Sequence, residues 1–436
     1  MKILVTGLCT LHWGRLQYGN IGNYYIVEPL FRELHRVFPK DEIVTTFQMT
    51  EDFIVSENIT VLPMEWYYAW QNDDVSRAEE EYEIAKNIGK YNREQWTDYM
   101  RFLEQCEILI NVSGDMWGDN AEHVGKSRFY VDLLKLRVAQ IMGVKTVLFA
   151  GTPGPFSDLK SLDLAKEVYE NFELVINREP TSTQNMEKWG FRSKNVKDFA
   201  CPAFLYEPEI TEEEYNVTKE LIIKNNKKNI GFTIGGFNMP VAPYDMWPRD
   251  EQQYIVFAEI IEYMINKLDV NVYLISHTNG FELPPNFKLI NGRDYPILSQ
   301  LRDIVIKRGI IKNEKQLILL KGPYLPRLTK KIIGRFDMMV TGRVHASVAA
   351  ISQNIPTVFL TYEHKWIPST KMYGFSSLAG VGNLVCEPGN KHQIIEKIDY
   401  CYKNLSKVEK DLLENIPKVK EKARNAFDEI KMLIKD

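Results

Sequence analysis

The sequence predicts an α/β protein built from two βαβ domains, each with a parallel sheet. Short continuous apolar runs alternate with longer segments in which apolar residues recur every three or four positions, the pattern of buried strands and crossover helices. A chain of 436 residues is expected to form two or three domains, at about 150 residues each. Its apolar fraction of 44% supplies a large core, which excludes global disorder.

Composition and charge exclude several classes of protein. The chain has 54 basic and 58 acidic residues, so its net charge of −4 gives no reason to expect a nucleic-acid partner. No run approaches the roughly 18 apolar residues of a membrane span, and the first residues predict a strand rather than a signal peptide. The five cysteines lack the spacing of a disulfide framework or a zinc site, which favours a cytoplasmic protein.

Two series of candidate strands follow one another along the chain. They are residues 2–6, 42–47, 107–112, 144–149 and 173–176, and then 229–234, 271–276, 316–320, 337–341 and 356–360. Helical patterns lie between most of these strands. The clearest is an apolar stripe at helical spacing, formed by Phe257, Ile260, Ile261, Met264 and Leu268.

A polar segment that begins at residue 205 separates the two series. We predict an N-terminal domain over 1–204 and a C-terminal domain over 205–390, with the carboxyl ends of their strands facing a cleft. Residues 63–105 form a predicted helical insertion, whose aromatic side chains either pack that insertion or line a sugar site. Residues 391–436 are predicted to form amphipathic helices, broken at Pro417, that pack across the domains.

The loops after the last two predicted strands carry the strongest functional candidates. Gly342, Arg343 and His345 stand at the start of a predicted helix, whose first amides favour an anion. Tyr362 and Lys365 follow the next strand. Because neighbouring βα units usually lie side by side, we expect Arg343, His345 and Lys365 to converge on a small, multiply charged anion. The imidazole of His345 is suited to proton transfer near neutral pH.

Glycine and asparagine also follow the first predicted strand. Asn20, Gly22 and Asn23 precede a helical pattern, and glycine there would let a ligand approach the backbone closely. The spacing is not that of G-x-G-x-x-G, and no acidic residue follows where a dinucleotide site requires one. We therefore predict a ligand-binding loop that does not take a nicotinamide cofactor.

Three later strands of the first series end in similar turns. Gly114 and Gly151 stand in turns that are open to a ligand, and Arg178 follows the last of these strands. Arg178 is either a second anion contact from the opposite wall of the cleft or part of a structural ion pair. Asp115 and Asp119 lack the spacing of an Asp-x-Asp metal motif, so we predict a polar loop there and no metal site.

Taken in order, these segments resemble the polysaccharide pyruvyltransferase family. The matching stretches span about residues 1–375 and are GNIGNYYIVEPLFREL, INVSGDMWGDN, AGTPGPF, VINREPTSTQNMEKWGF, DFACPAF, IGFTIGG and TGRVHASVAAISQNIPTVFLTYEHKW. The last stretch is the most specific, because it is similar to the family's Arg-Leu-His loop followed by a Tyr…Lys strand end. Val344 replaces the Leu, and Asn23 stands where the family usually has Asp.

The resemblance implies two Rossmann-like domains similar to glycosyltransferase type B. It also implies transfer of the enolpyruvyl group of phosphoenolpyruvate to a sugar of a cell-surface polysaccharide precursor, for an exopolysaccharide or capsule. A ketal would form across two hydroxyls, and phosphate would be released. Arg343 and Lys365, with Arg178, would surround the donor, and His345 would be the acid. Phosphoenolpyruvate is the co-substrate, and no cofactor is expected.

Two other functions stay open at this point. One is a glycosyltransferase of the same fold that uses a nucleotide sugar, with Glu363 on the ribose and Gly235 and Gly236 cradling a diphosphate. The other is a non-catalytic carbohydrate-binding protein. The acceptor sugar would be linked to a nucleotide, a lipid or a polymer. A lipid-linked acceptor would hold the protein peripherally at the inner face of the membrane.

Overall fold

The computed structural model describes residues 1–8, 12–123, 127–241, 247–362 and 370–435, which form two compact units. Unit 1 comprises Met1–Leu16, Ile26–Pro202 and Glu421–Asp436. Unit 2 comprises Gln17–Tyr25 and Ala203–Lys420. Each unit is built around its own parallel sheet, whereas the domain boundaries predicted from the sequence stay predictions.

Unit 1 has a seven-stranded parallel sheet in the order β3-β2-β1-β4-β5-β6-β7. Its strands are β1 (Lys2–Thr6), β2 (Glu42–Thr45), β3 (Thr60–Val61), β4 (Cys106–Asn111), β5 (Lys145–Gly151), β6 (Leu174–Asn177) and β7 (Val196–Asp198). Its helices are α1 (Ile21–Val37, whose first turn belongs to unit 2), α2 (Glu51–Ser56), α3 (Asp74–Lys86), α4 (Asp98–Leu103), α5 (Arg128–Ile141), α6 (Leu159–Glu170) and α7 (Thr181–Lys188).

The centre of this sheet is formed by the apolar runs that predicted it. Ile3 of β1 lies beside Ile43 of β2 and Ile108 of β4, and all three are buried. The strand order reverses between β1 and β4, so the loops after these two strands diverge. In open parallel sheets, ligands bind where the order reverses, at the carboxyl ends of the strands.

The predicted helical insertion between β3 and β4 contains α3 and α4. Tyr67 and Tyr68 in this region are each only 2% exposed, and Trp66 packs against Phe102. The hydroxyl of Tyr67 donates to Asp132 of α5 at 2.5 Å. These aromatic side chains therefore pack the insertion onto unit 1, the first of the two roles expected for them.

Unit 2 has a six-stranded parallel sheet in the order β12-β9-β8-β13-β14-β15. The strands of this sheet are β8 (Asn229–Thr233), β9 (Asn271–Leu274), β12 (Leu317–Leu319), β13 (Met338–Thr341), β14 (Thr357–Leu360) and β15 (Val385–Cys386). Unit 2 also contains the strands β10 (Asn279–Glu282) and β11 (Lys288–Asn291), which lie outside the sheet. Its helices are α8 (Glu212–Glu220), α9 (Ile255–Tyr263), α10 (Asp294–Arg308), α11 (Pro326–Ile333), α12 (Val344–Ile351), α13 (Thr370–Leu378) and α14 (Lys391–Lys403).

The hairpin β10–β11 was not predicted from the sequence. Its strands pair antiparallel, from Asn279 opposite Asn291 to Glu282 opposite Lys288, outside the parallel sheet. Its turn contains consecutive prolines, which weaken any strand pattern. Thr278, just before the hairpin, forms an isolated antiparallel bridge with Asn20.

The helical C-terminal segment is confirmed, but the break expected at Pro417 is wrong. Pro417 lies inside α15 (Leu405–Lys435). The helical segment is instead broken at Asn404, the residue that caps the end of α14. A proline removes the helical hydrogen bond to the carbonyl four residues earlier. Here that carbonyl belongs to Leu413, and both Leu413, which is 54% exposed, and Pro417 lie on the exposed side of the helix, where a proline is tolerated more easily.

Each unit contains a short segment from the distant end of the chain. In unit 2, the ring of Tyr25 stacks on Tyr206 at 4.8 Å, and its hydroxyl donates to the carbonyl of Pro326 at 3.3 Å. In unit 1, Phe427 of α15 packs on Phe149 of β5 at 4.8 Å. Among the described residues, no helix has the length and apolar character that crossing a bilayer requires.

Candidate functional site

The predicted site residues are divided between the two units. Unit 2 contains Asn20, Gly22, Asn23, Gly342, Arg343, His345 and Tyr362, and unit 1 contains Gly114, Gly151 and Arg178. Lys365 and Glu363 lie outside the described residues. We describe the two groups in turn.

The loop between β13 and α12 is shaped by its own side chains. The hydroxyl of Thr341, the last residue of β13, accepts a hydrogen bond from the backbone N–H of Arg343 at 3.0 Å. Gly342 lies against the side chain of Asn238, which leaves no space for a Cβ atom. Helix α12 then begins at Val344, so the helix expected after this loop is confirmed.

Arg343 is held by a buried carboxylate. Its Nε donates to Oδ2 of Asp294 at 3.0 Å, and its Nη2 donates to Oδ1 of the same residue. The Asp294 side chain is fully buried, whereas that of Arg343 is 19% exposed. The guanidinium also lies against Gly235, where a Cβ would be 2.6 Å from Cζ. Asp294 engages one N–H of Nη2, so the second N–H of Nη2 and the N–H groups of Nη1, which form the other edge, do not bond to Asp294.

His345 lies beside the first turn of α1, although the two are far apart in the sequence. A Cβ on Gly22 would be 2.6 Å from Cγ of the partly exposed imidazole, so only glycine fits there. The side chain of Asn20 accepts from the N–H of Gly22 at 3.2 Å, and its carbonyl accepts from the N–H of Asn23 at 2.9 Å. The predicted loops around Gly22 and His345 are therefore parts of one site.

Tyr362 holds two strand ends of unit 2 together. Its side chain is 6% exposed, and its hydroxyl donates to the carbonyl of Asn238 in the loop after β8 at 3.3 Å. The Asn238 amide in turn donates to the carbonyl of Leu360 at 3.2 Å. Burial raises the pKa of Tyr362 to about 12, so the phenol is neutral at physiological pH.

Two residues of this site were missed by the sequence analysis. His277 follows β9 and is 2% exposed, and its backbone N–H donates to Oδ2 of Asp294 at 3.0 Å. Burial, together with the charge of Arg343, lowers the pKa of His277 to about 3, so its imidazole is neutral. A search of every strand end would have found His277. Asp294 gives no such signal, because it follows the unpredicted hairpin.

In unit 1, the side chain of Arg178 is buried rather than exposed to solvent. Its side chain is 2% exposed, and its Nε donates to the hydroxyl of Thr152 at 2.7 Å. Its Nη2 lies 3.9 Å from Oδ1 of Asp115. Gly114 has a φ of +60°, and a Cβ there would lie 3.5 Å from Nη1. The carbonyl of Gly151 accepts the Arg178 N–H at 3.2 Å. The role of Arg178 in substrate binding stays a prediction.

A second buried carboxylate, that of Asp132, lies beside the carboxyl end of β4 in the sheet of unit 1. Asp132 of α5 accepts hydrogen bonds from the Tyr67 hydroxyl and from the Asn111 amide, the latter at 3.0 Å. Burial raises the pKa of Asp132 to about 7, although those hydrogen bonds and the charge of Arg128 act in the opposite direction. Arg128 donates to the carbonyl of Leu8 at 2.7 Å and lies 4.8 Å from the ring centre of Trp70.

Comparison with known proteins identifies the family. A family model described as polysaccharide pyruvyl transferase matches residues 20–364. The chain belongs to the polysaccharide pyruvyl transferase family. Among curated proteins, the amylovoran biosynthesis protein AmsJ of Erwinia amylovora is 22% identical over 408 residues, covering 87% of this chain and 88% of AmsJ. The resemblance inferred from the motifs is thus confirmed, and the protein is a pyruvyltransferase of polysaccharide biosynthesis.

Solved structures show the same fold at low identity. A glycosyltransferase from Rickettsia africae is 11% identical, with a TM-score of 0.57 over 99% of this chain and 98% of its own. The UDP-GlcNAc 2-epimerase of Neisseria meningitidis is 13% identical, also with a TM-score of 0.57, and both chains are covered completely. These likenesses confirm the predicted α/β class with two parallel sheets, similar to glycosyltransferase type B.

Proposed function

We propose that this polysaccharide pyruvyltransferase takes the enolpyruvyl group from phosphoenolpyruvate and places it on a sugar as a pyruvate ketal. The observation that carries the proposal is the loop after β13, where a fixed guanidinium and an imidazole are two residues apart. Arg343 is held by Asp294, and His345 packs on Gly22. A donor that is both anionic and activated by a proton needs these two groups together.

The charges of phosphoenolpyruvate suit this loop. The donor carries a carboxylate and a phosphate on three carbons. The Nη1–Nη2 edge of Arg343 matches two oxygens of such a group, and the first amides of α12 favour an anion at the same end of the helix. Lys365 and Arg178 are proposed as the further cations, and Asn20, Gly22, Gly114 and Gly151 as backbone contacts of the substrates.

We assign the proton to His345. Protonated His345 gives its proton to the methylene carbon of the donor, and the central carbon becomes cationic. The oxygen of one sugar hydroxyl bonds to that carbon and returns its proton to His345. The bond between the central carbon and the phosphate oxygen then breaks. The second hydroxyl bonds to the same carbon, and its proton leaves with the phosphate. A positioned acid of this kind is typically worth about 10²–10⁴-fold in rate.

The acceptor and the location are also proposals, which the membership of the family supports. The proposed acceptor is a sugar of a cell-surface polysaccharide precursor, carried by a nucleotide, a lipid or a polymer. We propose a cytoplasmic protein, because phosphoenolpyruvate is a cytoplasmic metabolite. A lipid-linked acceptor would bring it to the inner face of the membrane.

The direct test is a thermal titration of the purified protein with phosphoenolpyruvate. A ligand at about 100 times its Kd should stabilise the fold by roughly 2.7 kcal/mol, which raises the Tm measurably. We expect a saturable rise, which Arg343→Ala should shift to phosphoenolpyruvate concentrations about 10–100 times higher. The matched control is Arg308→Ala, since Arg308 forms a similar two-bond pair with Glu262 and should leave the response intact.

Other outcomes would replace the proposal. A rise with UDP or GDP, and none with phosphoenolpyruvate, would indicate a glycosyltransferase that uses a nucleotide sugar. Binding of glycans without a response to phosphoenolpyruvate, UDP or GDP would indicate a carbohydrate-binding protein without activity.

A further inference from the structure

Asp294 is a buried carboxylate that accepts three hydrogen bonds beside the proposed donor site. It is completely buried, and its oxygens accept from Nε and Nη2 of Arg343 and from the N–H of His277. Its own N–H donates to the hydroxyl of Thr278 at 3.0 Å. A buried charge needs both a partner and further hydrogen bonds, and Asp294 has both. Its position is therefore fixed by the backbone around it.

This arrangement determines which edge of Arg343 is used. A guanidinium is planar and can bind two oxygens at once along its Nε–Nη2 edge or along its Nη1–Nη2 edge. Asp294 takes the first edge, and Gly235 lies against the plane, where a Cβ would be 2.6 Å from Cζ and from Nε. The arginine is thus held both along one edge and across one face. Only the second edge can receive an anion.

The neighbouring imidazole does not disturb this pair. His277 is buried beside Arg343 and stays neutral, so it adds no repulsion to the guanidinium. Its ring also packs edge-on against Tyr25, with centroids 5.4 Å apart. The charges of Arg343 and Asp294 offset each other. The pair therefore attracts an anion through the direction of the N–H groups of Arg343 more than through net charge.

We propose that Asp294 is a positioning residue, which fixes Arg343 so that its Nη1–Nη2 edge binds the carboxylate or phosphate of the donor. The inference rests on the proposed function, since it names how the donor is oriented. It predicts that Asp294 acts on donor binding only through Arg343. Its neighbours His277 and Thr278 support it from the backbone that precedes the hairpin β10–β11.

The test is a double-mutant cycle read out as the Kd for phosphoenolpyruvate. Asp294→Asn keeps the shape but replaces one accepting oxygen by a donor, so we expect the Kd to rise at least 10-fold. In an Arg343→Ala background, the same change should leave the Kd within about 2-fold, because residues that act through one another are not additive. Equal losses in both backgrounds would overturn the proposal, as would a single variant with an unchanged Kd.

The matched control is Glu262→Gln. Glu262 accepts from Nε of Arg308 at 2.6 Å and from Nη2 at 3.2 Å, the same two-bond geometry elsewhere in unit 2. We expect an unchanged Kd and a comparable change in Tm. A 10-fold rise in this control would show that breaking any such pair weakens binding, and would overturn a specific role for Asp294.

Two further measurements keep the proposal testable. If Asp294→Asn does not fold, Gly235→Ala displaces the guanidinium from its other side and should raise the Kd similarly, whereas no change would contradict the proposal. If the wild-type protein does not bind phosphoenolpyruvate, the proposed function fails before any variant is made. A crystal structure of Asp294→Asn or Gly235→Ala then decides separately whether Arg343 has left its position. An unmoved Arg343 overturns the inference, and a displaced one upholds the positioning.

Discussion

Arg178 and Arg343 occupy similar places in the two units and differ in what surrounds them. Each follows a strand of a parallel sheet, β6 or β13, within two residues of its carboxyl end. Arg178 is 2% exposed, donates to the hydroxyl of Thr152, and lies 3.9 Å from the carboxylate of Asp115. Arg343 is 19% exposed and is paired with the Asp294 carboxylate. The first is enclosed, and the second keeps an edge for a ligand.

The comparison teaches that strand-end position alone does not fix how much of an arginine side chain is left exposed for a ligand. What decides is the partner that anchors the guanidinium and how much of it that partner leaves uncovered. The enclosure of Arg178 involves Gly114, whose φ of +60° brings the backbone close to the guanidinium. Arg343 is anchored from a helix, α10, that follows a different strand. Three measurements would sharpen or break this comparison.

The largest expected effect on the reaction rate comes from replacing His345, which lies in unit 2. Replacing it by alanine should lower the rate of phosphate release from phosphoenolpyruvate by about 10²–10⁴-fold, while the donor still binds, because the acid is lost but the arginine remains. Single-turnover phosphate release and a separate donor titration measure the two quantities. His392→Ala, which removes an exposed imidazole at the start of α14, should do neither. A His345→Ala protein with normal turnover would contradict the assignment.

The next effect separates the two arginines directly. Arg343→Ala should raise the donor Kd by about 10–100-fold, the loss of a charge-assisted, two-bond contact. Arg178→Ala should also raise the donor Kd, since Arg178 is a proposed donor cation, and should in addition lower the Tm, because it removes a buried hydrogen bond and leaves a cavity, together worth about 1–3 kcal/mol. Calorimetric titration and thermal melts of both variants provide the measurement. If Arg178→Ala leaves the Tm unchanged, the distinction between the two arginines is lost, and if it leaves the donor Kd unchanged, Arg178 is not a donor contact.

The smallest effect on the reaction concerns the buried carboxylate of unit 1. The pKa of Asp132 is raised to about 7, whereas an Asp in an unfolded chain titrates near 3.9. Between these two pH values the unfolded state binds fewer protons than the folded state, so the free energy of unfolding falls as the pH rises. The contribution of the Asp132 proton is fully lost once the pH has passed 7. We expect a free energy of unfolding about 2 kcal/mol lower at pH 7.5 than at pH 5, with donor affinity unchanged.

Asp132→Asn should flatten this dependence, because the amide does not titrate. Asp158→Asn is the control, since the hydrogen bonds of that exposed side chain to Ser161 lower its pKa and its titration lies below this range. Thermal melts at several pH values give the comparison. A wild-type slope that persists in Asp132→Asn would assign it to another group.

Much of the fold was predictable because it depends on local patterns. Every candidate strand of both series is present within a few residues, since continuous apolar runs are needed where helices cover a parallel sheet on both faces. The stripe on α9 is likewise buried, with Phe257 and Ile260 at most 1% exposed. The loop that contains Arg343 and His345 could be found because it follows such a strand.

The remaining features depend on contacts that no local pattern encodes. Asp294 is one acidic residue among 58 Asp and Glu, and only the folded chain shows that it faces Arg343. Pro417 stops a helix in most contexts, but here it lies inside α15 on the exposed side of the helix. The approach of Gly22 to His345 required knowing that the first turn of α1 belongs to unit 2.

That exchange of segments has a consequence for how the chain is made. On the ribosome, residues 17–25 are synthesised early, yet Tyr25 can contact Tyr206 and Pro326 only after more than 300 residues have been made. Phe427 is synthesised near the end of this sequence, yet it packs on Phe149. Contacts so distant in sequence slow folding, because long loops must close first. A fragment of residues 203–420, expressed alone, would lack the contact of Gly22 with His345 and so contain only part of the candidate site.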